Sequence, residues 1–288
     1  MKARQFSKAR ALLLLPLLAA FCSQPAEAQK LAVLFPEKTE QSENFSEKLA
    51  ASLALEFKVL NRSLSEAAFL STQTAKPFNL TTGEAKLIGA AIGCDFFLLV
   101  KAENQRRYSF AKKDYFESYA VIYLASSRTG RLVFWRLASF DDPQSEKAEK
   151  KLSDAAINLA FEISNKISIA AKQEAEEKPP PKIAEIPDEN SPDAKNFRVP
   201  LPYLRRPPAY TALAKLYGIE ATVDIEVDFD EGGAILRTEI VRWAGFGLDE
   251  SVTQTIRQMD WRPASRGQKA LPVRALLRYN FRKLEREE

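Results

Sequence analysis

Nine of the sixteen prolines in this 288-residue chain fall between Pro179 and Pro208, mixed with Glu and Lys and without an aromatic side chain until Phe197. A stretch so short of amide donors and apolar surface cannot form a helix interior, a central strand or a core. It divides the chain into four parts: a leader over 1–28, a first globular unit over 29–173, a linker over 174–200 and a second unit over 201–286. Each flank is long enough to bury a core of its own. About 20 residues of semi-extended linker reach roughly 60 Å, so the expectation is two units that need not touch.

The leader is read from charge and size. Lys2, Arg4, Lys8 and Arg10 precede an apolar run from Ala11 to Phe21 broken by Pro16, and Ala26-Glu27-Ala28 sets small residues before Gln29. This is the pattern of a cleavable secretory signal. The rival is membrane anchoring, either by lipidation at Cys22 or by an uncleaved helix. Phe21 stands where lipidation needs a small residue, and about eleven apolar residues are too few to span. Loss of four basic residues and Glu27 takes the formal net charge from +4 to +1, so the positive balance is no sign of nucleic acid.

The mature chain would keep one cysteine, Cys94, read as a small core residue, and the sequence contains no histidine. That removes Ser-His-Asp and Cys-His catalysis and His-containing metal sites together. Asp141-Asp142 and the acidic run Asp228 to Glu231 are the remaining carboxylate pairs. At a strand end and a hairpin tip they read as turn residues, so no enzyme, metal or cofactor is expected. Asn44, Asn61 and Asn79 sit in Asn-x-Ser/Thr sequons, which matter only in a eukaryotic secretory pathway.

The first unit reads as alternating α and β. Leu31 to Phe35 is a buried strand closed by Pro36. Phe45, Leu49, Leu53 and Phe57 recur at helical spacing, and Lys58 to Leu60 forms a further strand ending near Asn61-Arg62. Thr81-Thr-Gly-Glu84 is a capping box opening a helix that stops at Gly93. Three strands follow over 95–102, 115–126 and 131–140, then a helix from Gln144 to about Lys172 striped by Leu152, Ala156, Leu159, Ile163 and Ile167. In the second of those strands Tyr119, Val121 and Tyr123 alternate with Ala120, Ile122 and Leu124, so both faces are apolar. This order, with Gly89-Ala-Ala-Ile-Gly-Cys-Asp95 and Ser127-Arg-Thr-Gly-Arg-Leu-Val-Phe-Trp135, resembles the N-terminal α/β domain of TolB-like, FlgO-like and CsgG-like envelope proteins over residues 30–140.

The second unit carries the more specific pattern. Val223, Ile225, Val227 and Phe229 alternate with Asp224, Glu226, Asp228 and Asp230, giving a strand with one core face and one acidic face. Gly232-Gly233 makes a hairpin turn, and the next strand, Ile235 to Trp243, breaks alternation near Arg237-Thr238, which predicts a bulge. Leu248, Val252, Ile256 and Met259 stripe a helix that Pro263 ends. The joint spacing of Pro208-Ala-Tyr210, Gly245-Phe-Gly-Leu-Asp249, Trp261-Arg-Pro-Ala264, Gly267 and the strand Val273 to Phe281 resembles the C-terminal domain of the TonB family. Thr211, Ala221 and Trp243-Ala244 depart from it, where the family usually has proline, glycine and often two serines.

The resemblance implies an α+β chain whose C-terminal part is an antiparallel three-stranded sheet with two helices. In that fold Tyr210, Gly245, Leu248, Asp249, Trp261, Pro263 and Ala264 are structural motif residues. It also implies that the last strand captures an extended peptide along its edge, through Val273, Arg274, Leu276, Arg278 and Asn280. If that strand lies beside the first, its arginines fall opposite Asp224, Glu226 and Asp228. The expected function is a periplasmic protein that binds an outer-membrane receptor or another envelope protein and is associated with TonB-dependent transport. A soluble envelope-assembly adaptor without a transport role is the alternative. Pairing of two copies through strand edges stays open, and neither nucleic acid nor a small-molecule substrate is expected.

Overall fold

The computed structural model describes residues 28–108, 114–188 and 190–283; the expected leader, including Cys22, lies outside them apart from Ala28. The first unit runs β1 (Lys30–Leu34), α1 (Glu40–Leu53), β2 (Lys58–Val59), α2 (Arg62–Ser71), α3 (Thr82–Ile92), β3 (Phe96–Arg107), β4 (Tyr115–Ser126), β5 (Leu132–Asp142), α4 (Ser145–Asp154) and α5 (Ala156–Glu176). Its strands form one mixed sheet in the order β2-β1-β3-β4-β5, parallel at β2-β1-β3 and antiparallel beyond.

The local signals act as read. Thr81 and Glu84 form the reciprocal capping box of α3, and Gly93 ends that helix in the left-handed region at φ 76°. α2 was not expected. Its signal is Asn61, whose side chain caps the amide of Leu64, but α2 buries only Ser65 and Phe69, too few for a clear period. The helix expected from Gln144 is two, meeting at Ala155, whose amide is shared between the carbonyls of Lys151 and Leu152. α1 ends before Phe57, and Cys94 is a buried free thiol.

The second unit runs β6 (Phe197–Arg198), β7 (Leu201–Pro202), α6 (Ala212–Leu216), β8 (Ala221–Phe229), β9 (Ile235–Arg242), α7 (Leu248–Arg257), β10 (Trp261–Arg262), β11 (Ser265–Arg266), β12 (Lys269–Ala270) and β13 (Val273–Phe281). Its main sheet is antiparallel in the order β13-β8-β9. The register sets Arg274 opposite Asp228 and Arg278 opposite Asp224 as expected, but Leu276 rather than an arginine opposite Glu226, because a period of two returns position 276 to that face whatever its residue type. β9 carries register shifts on either side of the expected position, passing over Leu236 and Val241. α7 stops at Arg257, well before Pro263.

The two faces of the first sheet have different covers. Leu98, Val100, Ala120, Ile122 and Leu124 pack with residues of α1, α4 and α5. Leu99, Tyr119, Val121, Tyr123 and Ala125 face the other way, into a core containing α3 and also Val223, Ile225, Trp243, Phe246 and Leu248 of the second unit. The expectation of two units that need not touch is therefore overturned. The doubly apolar β4 leaves a face that the first unit alone does not cover. Burial of each such large side chain contributes roughly 1.5–3 kcal/mol.

Candidate functional site

β13 follows from its alternation. Val273, Ala275 and Phe281 are buried against the core, while Leu276 is 57% exposed on the opposite face. There the arginines fold back on the central strand. Arg274 Nε and Nη2 donate to Asp228 at 2.6 and 2.9 Å, and Arg278 Nε and Nη2 donate to Asp224 at 2.7 and 2.9 Å. From the other side Arg242 Nε donates to Asp224 at 3.2 Å, and Arg237 stands 3.8 Å from Asp228. Both aspartates are almost fully buried beneath these cations. Burial alone would raise the pKa of Asp224, but hydrogen bonds and charge from Arg278 and Arg242 outweigh it and hold the carboxyl below its ordinary value. Asn280 Oδ1 accepts from Thr222 Oγ1 at 2.8 Å.

The backbone of β13 has a second edge. The odd-numbered residues pair towards β8, and the alternation of amides turns those of Arg274, Leu276, Arg278 and Asn280 to the outside. Among the described residues, the first of these amides is paired with the linker. Arg274 N donates to Ala184 O at 2.8 Å, and Ile186 N donates to Arg274 O at 3.3 Å, a parallel bridge centred on Glu185. The linker, expected to be a spacer, makes this contact without a local signal, because the five residues between Pro181 and Pro187 are too few to carry a strand period.

The motif residues lie elsewhere. Trp261 packs on Phe229 with ring centroids 5.0 Å apart, and its Nε1 donates to Ile256 O at 3.2 Å. Ala264 and Leu248 are fully buried, and Tyr210 Oη donates to Ile219 O at 2.8 Å. Pro263 borders a cleft with Ile186, Pro187 and Phe197. Gly245 and Asp249 form a turn in which the carboxylate accepts from Ala244 N at 2.9 Å and Gly245 N at 2.8 Å. Burial pushes the Asp249 pKa up to about 7 against the opposing pull of those two amides.

That turn is the joint between the units. Gly245 has φ 70°, and a Cβ on it would come within 2.9 Å of Tyr123 Cε1. Phe246 stacks on Trp135 at 5.4 Å, and Trp243 stacks on Tyr123 at 5.7 Å while its Nε1 donates to Gly130 O at 3.2 Å. Asn79 spans the seam. Its Nδ2 donates to Thr222 O and Trp243 O, both at 2.8 Å, and its Oδ1 accepts from Thr222 N at 3.0 Å. Trp243, one of the departures from the family pattern, is 1% exposed inside the seam. Thr211, another departure, caps α6 and donates to Phe246 O at 2.7 Å.

Asn79 was visible only as a sequon, and nothing local to it marks a tertiary role. Beside the seam is a cleft of about 480 Å³ lined by Phe78, Tyr119, Tyr123, Tyr217 and Phe246. Tyr217 Oη donates to Glu117 at 2.6 Å, and burial together with that bond raises the Tyr217 pKa to about 12. Two of the carboxylates read as turn residues have local partners. Asp142 pairs with Lys151 at 2.9 Å, and Asp230 accepts from Gly232 N and Ala234 N at the hairpin.

Residues 206–282 match the family model described as the Gram-negative bacterial TonB protein C-terminal. Among solved structures, the C-terminal domain of TonB from Pseudomonas aeruginosa is 22% identical, with 34% of this chain and 94% of that one covered and a TM-score of 0.27. Lipoprotein GNA1162 from Neisseria meningitidis is 17% identical over 48% of this chain and 99% of that one, TM-score 0.34. The C-terminal domain of LpoB from Salmonella enterica is 13% identical over 41% and 85%, TM-score 0.27. No curated protein matches the chain.

Proposed function

We propose, from the premise that residues 206–282 are a TonB C-terminal domain, that this chain is a periplasmic envelope protein whose β13 edge captures an extended peptide of an outer-membrane receptor or another envelope protein. One observation carries the reading. Arg274 and Arg278 are turned onto Asp228 and Asp224, so they do not cross the strand edge, and the outward amides of Leu276, Arg278 and Asn280 stand ready for a further strand. Main-chain hydrogen bonds would supply affinity, and Leu276 with the flanking arginines would supply selectivity. No helix of the described residues is long and apolar enough to cross a membrane.

The shared core supports the alternative of an envelope-assembly adaptor. Asn79, Trp243 and Tyr123 tie the units together, so a peptide on β13 would be held at a fixed position relative to the first unit. That suits joining two components without a transport role. A photo-crosslinking side chain at Leu276 of the full chain, expressed in a Gram-negative host, tests both. Adducts with an outer-membrane protein that vanish when Arg278→Pro is added support edge capture. Adducts unaltered by that proline in a folded variant sink it. Dependence of the adducts on an energised inner membrane favours transport over the adaptor, and adducts with a second copy would indicate pairing of the chain with itself.

A further inference from the structure

The docking edge of β13 is already partly occupied by the chain itself. Ala184 to Ile186 lies parallel to the start of the strand through the two backbone bonds at Arg274. Ile186 packs against the shared core, and Glu185 adds to the negative field around the Arg274 guanidinium. From this geometry we propose that residues 184–186 are an internal competitor that closes the edge, and that a partner peptide docks along the whole of β13 only by displacing them. The inference rests on the edge-capture reading above.

The cover is short for a physical reason. Pro179, Pro180 and Pro181 precede it, Pro187 follows it, and prolines cannot donate to a ladder. Beyond Pro187 the chain turns away through Ser191 N to Asp188 O at 2.9 Å and Asn190 N to Asp188 Oδ1 at 2.9 Å. Leu276 and the residues after it are thus left for an incoming strand to start on. A peptide seated there reaches Arg274 by exchanging two hydrogen bonds for two equivalent ones, a route with no large barrier of exposed backbone.

Both ends of the covering segment are fixed. Glu177 accepts from Arg131 Nη1 and Nη2, each at 2.7 Å, and Phe197–Arg198 pairs with Ser265–Arg266. A segment so tethered competes at the high effective concentration of a short loop, on the order of millimolar. Its few contacts still leave the closed form only modestly favoured. Two backbone hydrogen bonds of ordinary net strength give a closed-to-open ratio on the order of ten, which weakens the apparent affinity of an external peptide about tenfold. The sequence that closes the edge also indicates what opens it: an extended peptide with an acidic residue beside Arg274 followed by a branched apolar one.

The test uses the full chain and Ile186→Pro, which removes the donor to Arg274 O without touching β13. A second variant replaces residues 182–188 by Gly and Ser at equal length. The probe is a labelled peptide with the chain's own sequence Lys182 to Asp188, titrated by fluorescence anisotropy, alongside amide exchange at Arg274. The proposal expects Arg274 to lose protection in both variants and the probe to bind them about tenfold more tightly than the parent. Unchanged Arg274 protection, or equal probe affinity for parent and variants, overturns the competitor while leaving edge capture standing. Lost protection with no binding of the probe to any of the three proteins refutes edge capture, and the competitor falls with it.

Discussion

Replacing Trp243 by alanine should break the molecule at its seam rather than loosen one unit. The indole is 1% exposed, stacks on Tyr123 at 5.7 Å and donates to Gly130 O at 3.2 Å. Truncation of a core tryptophan costs about 3–5 kcal/mol from lost transfer energy and the cavity left behind. The orphaned Gly130 carbonyl adds about 1 kcal/mol or more if water does not reach it. With a sensitivity of about 2–4 °C per kcal/mol for chains near this size, the melting midpoint should fall on the order of 10 °C. Because the two units share one core, the parent should unfold in a single calorimetric transition and Trp243→Ala in two. Trp243→Phe keeps a ring on Tyr123 and should lose only about 1–2 kcal/mol. A double-mutant cycle with Tyr123→Ala should return a coupling above about 0.5 kcal/mol. Two transitions in the parent protein, or a loss under about 1 kcal/mol in Trp243→Ala, would refute the shared-core argument.

Asn79→Ala leaves the Thr222 amide and the carbonyls of Thr222 and Trp243 without their side-chain partner. At about 1–3 kcal/mol per buried group, reduced where water enters, a loss of about 3 kcal/mol is expected in urea unfolding. Gly245→Ala puts a Cβ within 2.9 Å of Tyr123 at φ 70°. It should cost about 1–3 kcal/mol, and relief of the contact by Tyr123→Ala checks the cause. The two carboxylates give opposite pH slopes. Asp249 has a folded pKa raised to about 7, so stability is favoured at low pH and declines as pH climbs from about 4 to 7. Asp224 is depressed, so its contribution is present above about pH 4 and lost as pH falls through its lower folded pKa. Urea unfolding across pH should show Asp249→Asn flattening the first limb and Asp224→Asn the acid limb.

The sequence determined what depends on neighbours along the chain. Thr81 and Glu84 specify a helix start and Gly93 its end, because caps act within four residues. The alternation from Val223 to Asp230 dictates a two-faced strand, and the family pattern around Gly245 and Trp261 carries the C-terminal fold. Even the ion pairs of β13 with β8 were legible, since a period of two fixes which residues face each other once the register is set. What escaped was whatever depends on distant segments meeting. Asn79 reads as an ordinary polar residue until its amide lies between Thr222 and Trp243, 143 and 164 positions away. Trp243 and Phe246 read as loop aromatics until β4 offers an uncovered apolar face, and Ala184 to Ile186 reads as linker until β13 offers an open edge. Apolar burial is not directional, so a sequence shows that a face must be covered without showing by what. Only the tertiary structure decided that one unit covers the other and that the linker covers the strand.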